Sequence, residues 1–355
     1  MTTTTTHAEF GKQTEAFTVA AAFPESIKGR TVIITGVNKQ GIGYSTAEAF
    51  ASQGPAHLII AGRSQAKLQE CHDALKAAYP AVDTRTLIID LSSQKSVRAA
   101  AAELNGWADI PTVDILINNA GIMNIPKRTF TEDDVELTMA TNHVGHYLFT
   151  NLIFPKLIAA AKNAPKGSVR VVNLASMGVN ASAIRFDDLR YEKGASQLPE
   201  QQRPNFAMMK AFGFNFDEEL GYNFIAAYGA SKTAAVVFSV GLNERAYEKH
   251  GILSLSVNPG EIKTELSRNS PQEFLDGLKD VETKYGIVFK SLQAGASTTL
   301  VAATDPKLSL PESDGHGAFL SDCQLGRVPA YATGKEEAQK LWEVSEGWVG
   351  EKFAW

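Results

Sequence analysis

"TVIITGVNKQGIGYSTAEAFA", residues 31 to 51, opens on a β-branched apolar run, Thr31 to Thr35, turns through glycines at 36, 41 and 43, and leaves as a stretch, Tyr44 to Ala51, with the pattern of a helix. A strand that ends in a glycine-rich turn and feeds a helix aims free backbone N–H groups and the positive helix end at an anion such as a pyrophosphate. The glycines let the ligand come close to the backbone. Glycine spacing alone is equally compatible with a plain structural turn. The strand before it, the helix after it and its place as the first βα unit are what favour a nucleotide-binding turn.

The rest of the chain carries the same rhythm. After His57–Ile60 (apolar) come a helical stretch from Gln65 to Tyr79, a strand-like run from Thr84 to Ile89 and a polar helix from Ser93 to Asn105. The apolar Val113–Ile117, a helix through Asp133 to Met139, a long apolar helix from Gly145 to Ala161 and a fifth strand, Val169–Leu174, follow, with a sixth strand at Leu253–Val257. Continuous apolar strands alternating with helices predict an α/β fold with a single doubly wound parallel sheet, a Rossmann fold, whose ligand lies at the carboxyl ends of the strands. Insertions follow strands 5 and 6. The expected organisation is an N-terminal tail over 1–28, a nucleotide-binding domain over 29–325 with an insertion over 177–227, and a C-terminal helical extension over 326–355.

Composition narrows the function. The chain has 355 residues, 44% hydrophobic and 21% charged, with a net charge of -5 and no dense Lys/Arg run, which argues against nucleic acid as a partner. Two cysteines, Cys71 and Cys323, build neither a disulfide framework nor a metal site, so no metal is expected and a reducing compartment fits. The opening MTTTTTHAEFGKQTE lacks the basic and apolar regions of a signal peptide, its Thr run reads as a frayed tail, and no window suggests a membrane span. A cytoplasmic protein is expected.

Five further stretches fall at strand ends or on the helices behind them: "AGRS" (61–64), "DLSS" (90–93), "INNAG" (117–121), "VVNLAS" (171–176) and "VNPGEIKTEL" (257–266). Between them, "TNHVGHYLFT" (141–150) and "YGASK" (228–232) supply Asn142, two histidines, and Tyr228 and Lys232 four apart on one helical face. A phenol of ordinary pKa about 10 is a poor proton donor or acceptor near neutrality unless a nearby cation stabilises its phenolate. Lys232 can be that cation and Ser176 can hydrogen-bond a developing alkoxide. Where a ribose-binding acid would end the second strand stands Arg63, which can pair with a 2′-phosphate, and Lys39 in the turn points the same way. Taken singly, Asp90 is equally a helix N-cap, NNAG a turn, and His143 and His146 packing residues.

In this order the motifs resemble the short-chain dehydrogenase/reductase family over residues 29–325, and "TNHVGH" with the 51-residue gap between Ser176 and Tyr228 is most similar to its branch of retinol dehydrogenases and protochlorophyllide reductases. The phosphate turn carries one residue more than the family pattern, at Val37-Asn38-Lys39-Gln40. The resemblance implies catalytic Asn142, Ser176, Tyr228 and Lys232, with Asn142 holding a water on its backbone carbonyl. It implies a cofactor held by Gly36, Lys39, Gly41, Ile42, Gly43, Arg63, Asp90, Leu91, Asn119, Ala120, Gly121, Tyr228, Lys232, Pro259, Gly260, Ile262 and Thr264. NADP(H) is the expected cofactor and a small-molecule carbonyl or alcohol the substrate. The aromatic and methionine residues of 177–227 are candidates for a pocket lining or for the insertion's own core. Homo-oligomers are implied through the helices Gly145–Ala161 and Tyr228–Lys249. The alternatives are a dinucleotide-sensing regulatory protein and a reductase of an activated C=C bond.

Overall fold

A computed structural model describes residues 4–286, 288–308 and 319–355. Its centre is an eight-stranded sheet: β1 (Thr31–Thr35), β2 (His57–Gly62), β3 (Asp83–Ile88), β4 (Ile115–Asn118), β5 (Val169–Leu174), β6 (Ile252–Asn258), β7 (Phe319–Ser321) and β8 (Gln324–Leu325). The order is β3-β2-β1-β4-β5-β6-β7-β8, all pairs parallel except β7 with β8. Strand β1 pairs with β2 on one side and β4 on the other, Ile33 standing opposite both Ile59 and Leu116. The winding therefore reverses beside β1, and a crevice opens past its carboxyl end.

Helices cover both faces: α1 (Ala16–Ala22), α2 (Ile42–Ala51), α3 (Gln65–Ala78), α4 (Gln94–Gly106), the single turn α5 (Leu137–Met139), α6 (Gly145–Ala161), α7 (Phe206–Ala211), α8 (Phe224–His250), α9 (Gln272–Tyr285), α10 (Leu292–Thr304) and α11 (Lys335–Val349). Side chains alternate across a strand, so Val32 and Ile34 enter one core with α1, α2, α3 and α10, while Ile33 enters the other with α4, α6, α8 and α11. Burial on both faces is why these strands read as unbroken apolar runs.

Three expectations need correction. The helix foreseen through Asp133–Met139 is only α5. Asp134 has φ 56°, Glu136 caps the turn from outside with its carboxylate accepting from Met139 N–H at 2.9 Å, and a π-helical stretch, Ala140–Val144, leads into α6. From Thr4 onward the segment before β1 is docked rather than frayed, the start of the Thr run lying outside the described residues: α1 lies against α10, Val19, Ala20 and Ile27 are buried, Thr5 hydrogen-bonds Gln324, and Thr6 donates to the Asp305 carboxylate. The partners lie hundreds of residues along the chain, where a local reading does not reach. And α8 contains an 18-residue window of mean hydropathy 1.4, long and apolar enough to cross a membrane by composition, but 83% of that window is buried as a core helix.

The insertion between β5 and α8 folds on itself. Phe206, Met208, Met209, Phe214 and Phe216 gather around Ala181 and Ala226, and Phe214 stacks on Phe274 of α9. Its turn is fixed by a buried pair, Arg185 with Asp188, the guanidinium also donating to Gly221 O and Lys193 O and the carboxylate accepting from Glu192 and Lys193 N–H. The C-terminal segment lies over α6 and α8: Trp355 stacks on Phe154 at 3.7 Å, and Trp342 packs edge-on to Tyr147.

Candidate functional site

A cleft of about 620 Å³ runs along the carboxyl ends of β1 to β6. Gly36, Gly41, Ile42, Gly43, Arg63, Asp90, Leu91, Asn119, Ala120, Gly121, Ser176, Tyr228, Lys232, Pro259, Gly260, Ile262 and Thr264 all line it. The lengthened turn closes on a hydrogen bond of its own: Gly41 N–H donates to Asn38 O and Gly41 opens α2, whose first N–H groups have no acceptor inside the helix. Gly36 sits at φ 71°, and a Cβ there would lie 2.6 Å from Ala120 Cα. One on Gly43 would lie 2.7 Å from Asn119 Nδ2, so neither position admits a side chain. Two acceptors among the lining residues, Asn38 Oδ1 and Asn119 Oδ1, are buried without a protein partner. Unpaired polar groups around a close-approach backbone and a helix N-terminus fit a dinucleotide.

Lys39 departs from its expected place. It does not line the cleft; its ammonium sits 3.8 Å from the Tyr44 ring centroid on α2. Asn38, its neighbour, lines the cleft instead. Asp90 does not cap α4, a role taken by Ser93, but accepts from Ser92 N–H and Oγ in a tight turn. None of the insertion's aromatic or methionine residues lines the cleft: Phe206, Met208, Met209, Phe214 and Phe216 form the insertion's own cluster, Phe186 packs against the main core, and Met177 and Phe212 are exposed.

At the other end, Ser176 follows β5 and Tyr228 and Lys232 look into the cleft from α8. Burial pushes the Tyr228 phenol up to about 12, and its hydrogen bond with Ser176 draws it partly back. Burial pulls the Lys232 ammonium down to about 8; it donates to Leu174 O at 2.8 Å and stands 5.6 Å from the Tyr228 ring centroid. Near pH 7 the phenol is therefore neutral and the ammonium mostly charged, an arrangement that can give a proton to an oxygen anion held beside Ser176.

Asn142 does not reach the cleft wall. Its side chain clamps the segment after NNAG, accepting from Ile122 N–H at 2.8 Å and donating to Ile122 O, and it donates to Ser231 Oγ, which donates to Tyr228 O. The apolar wall on this side is Ile122, Ile125, Leu137 and Leu266, with Arg268 and Asn269 beside them. Sequence reasoning missed Thr35, whose hydroxyl accepts from both Asn119 and Ala120 N–H at 3.0 Å and ties NNAG to β1. A Thr ending a strand before the first glycine was the available signal.

Residues 30–186 match the short chain dehydrogenase family. Oxidoreductase fscI of Fusarium equiseti is 39% identical over 251 residues, 71% of this chain and 94% of its own length. Retinol dehydrogenase 13 of Homo sapiens is 32% identical over 327 residues, 92% of this chain and 86% of its own length. Among solved structures, an uncharacterized protein from Mycobacterium Paratuberculosis superposes with a TM-score of 0.64 at 26% identity, covering 95% of this chain and 98% of its own. Identity sustained from the phosphate turn through the C-terminal helices reaches well beyond any single motif, and this protein belongs to the short-chain dehydrogenase/reductase family, in the branch of the retinol dehydrogenases.

Proposed function

We propose that this oxidoreductase is an NADPH-dependent carbonyl reductase, reversible as an alcohol dehydrogenase, acting on an apolar or aromatic ketone or aldehyde. The observation that carries the reading is the Tyr228 phenol, hydrogen-bonded to Ser176 and facing the cleft with the Lys232 ammonium 5.6 Å from its ring centroid. NADPH, when bound, supplies the hydride. Tyr228 donates the proton, Ser176 orients the carbonyl oxygen, and Lys232 provides the positive charge that steadies a forming phenolate and can meet a ribose hydroxyl. Asn142 fixes the geometry of Ile122 and of the α8 turn that carries Tyr228.

Preference for the phosphorylated cofactor is supported by Arg63, exposed at the end of β2 on the cleft edge, with no carboxylate in the "AGRS" turn. The apolar wall of Ile122, Ile125, Leu137 and Leu266 supports the substrate class. The deciding experiment titrates NADPH and NADH in parallel and then measures turnover with each on a panel of aromatic and aliphatic ketones and aldehydes. Tighter NADPH binding with alcohol as product is the expected result. NADH preference would remove Arg63 from the argument, and NADPH binding without turnover of any carbonyl would replace the enzyme by a dinucleotide sensor.

A further inference from the structure

The second histidine of "TNHVGH" lies at a junction. His146 is buried on α6, with Nδ1 3.2 Å from the backbone carbonyl of Asn142 and Nε2 2.9 Å from the Thr35 hydroxyl. A carbonyl can only accept, so the ring proton is on Nδ1. Thr35 already accepts from Asn119 and Ala120 N–H, so its own proton is free to go to Nε2; the competing acceptor, Ile117 O, is at 3.5 Å. One tautomer alone satisfies every atom.

The two groups joined by the ring belong to different halves of the site. Thr35, itself fully buried, holds the NNAG backbone that lines the proposed cofactor end, while the Asn142 residue, clamped to Ile122 and Ser231, leads to Tyr228. The carbonyl of Asn142 lies in the π-helical stretch 140–144, where a widened turn disturbs the usual i to i+4 pairing, and an imidazole four residues on supplies a donor to it. We propose that His146 is a positioning residue that fixes the Asn142 carbonyl with one nitrogen and, through Thr35, the floor of the cofactor cleft with the other, so that the two ends of the site are set by one neutral ring. Nothing touches His146 from the cleft; it acts through its two partners.

The two nitrogens can be separated by substitution. In His146→Asn the amide lies near the Nδ1 position and can still serve the Asn142 carbonyl but cannot reach Thr35. In His146→Gln the amide lies near Nε2 and serves Thr35 but leaves the carbonyl without its donor. The expected result is opposite splits: His146→Asn weakens dinucleotide affinity by roughly five- to tenfold, more than it lowers kcat, and His146→Gln lowers kcat by a similar factor, more than it weakens affinity. Both variants changing affinity and kcat in the same ratio, or neither changing them, would overturn the proposal in favour of simple packing.

The kcat arm rests on the reductase reading above. A second measurement does not: nitrogen-detected NMR of the imidazole in the wild-type protein, without cofactor or substrate, reads which nitrogen carries the proton. Nδ1–H with a bare Nε2 supports the assignment even if no carbonyl is turned over. The reverse tautomer, or a ring exchanging between the two, refutes it whether or not the variants fold.

Discussion

At Tyr228 the side chain proposed to give up a proton is the one burial keeps protonated, up to about 12, while burial lowers its companion Lys232 to about 8. Tyr228→Phe keeps the ring and removes the proton, so kcat for carbonyl reduction should fall by about 10²- to 10⁴-fold while NADPH affinity, read by fluorescence titration, stays within about threefold. A variant with appreciable turnover would place the proton donor elsewhere. The Lys232 pKa has its own consequence. The ammonium is charged below about 8 and neutral above, so the reduction rate should decline as pH rises through that value. A pH profile still flat at pH 9 would show that the charge is not used. Tyr228, Lys232 and Ser176 could be singled out by residue type and spacing, and all three line one cleft. Lys39 was misread because a cation in a phosphate turn has more than one possible neighbour, and here an aromatic face 3.8 Å away holds it.

Periodicity located the first six strands and most of the helices between them to within about two residues, since a strand buried on both faces has to be apolar throughout, but it gave no sign of the short β7 and β8. It failed at α5, where what matters is a left-handed Asp134 and a capping carboxylate rather than any pattern of apolar residues. It was silent on the insertion, whose order depends on Arg185 and Asp188, three residues apart and each almost fully buried. Removing one charge strands the other, so Arg185→Met should destabilise the protein by about 3–5 kcal/mol in urea unfolding. Protease cleavage should rise within 185–221. A loss below about 1 kcal/mol would mean that the carbonyls and N–H groups around the pair carry the turn without it. The C-terminal helix makes a separate case. The face of α6 and α8 implied as an assembly surface is occupied by Trp342, Phe353 and Trp355 of the same chain. Truncation after Gly334 should lower Tm, with a cost on the order of 5 kcal/mol from the apolar side chains it uncovers, and should convert the protein to a larger species in light scattering.

For the molecule as a whole, two buried histidines set how it meets acid. Burial holds His143 down to about 3 and His146 down to about 4, against an ordinary value of 6.5. In the unfolded chain both take up protons near that ordinary value, and in the folded one they do not, so the unfolded state binds more protons throughout the interval. Stability then rises with pH there, and is lost as pH falls from about 6.5 toward 4. Urea midpoints measured across that range should drop steadily, and His143→Leu should flatten the slope; an unchanged slope would assign acid sensitivity to other groups. The docking of α1 on α10, with Thr5 and Thr6 held by Gln324 and Asp305, bears on how the protein is made. Almost the whole Rossmann domain is translated between the two halves of that contact. On the ribosome, the part of α1 that packs on α10 stays uncovered until the first six strands have been made, and for that interval it is apolar surface that a chaperone can shield.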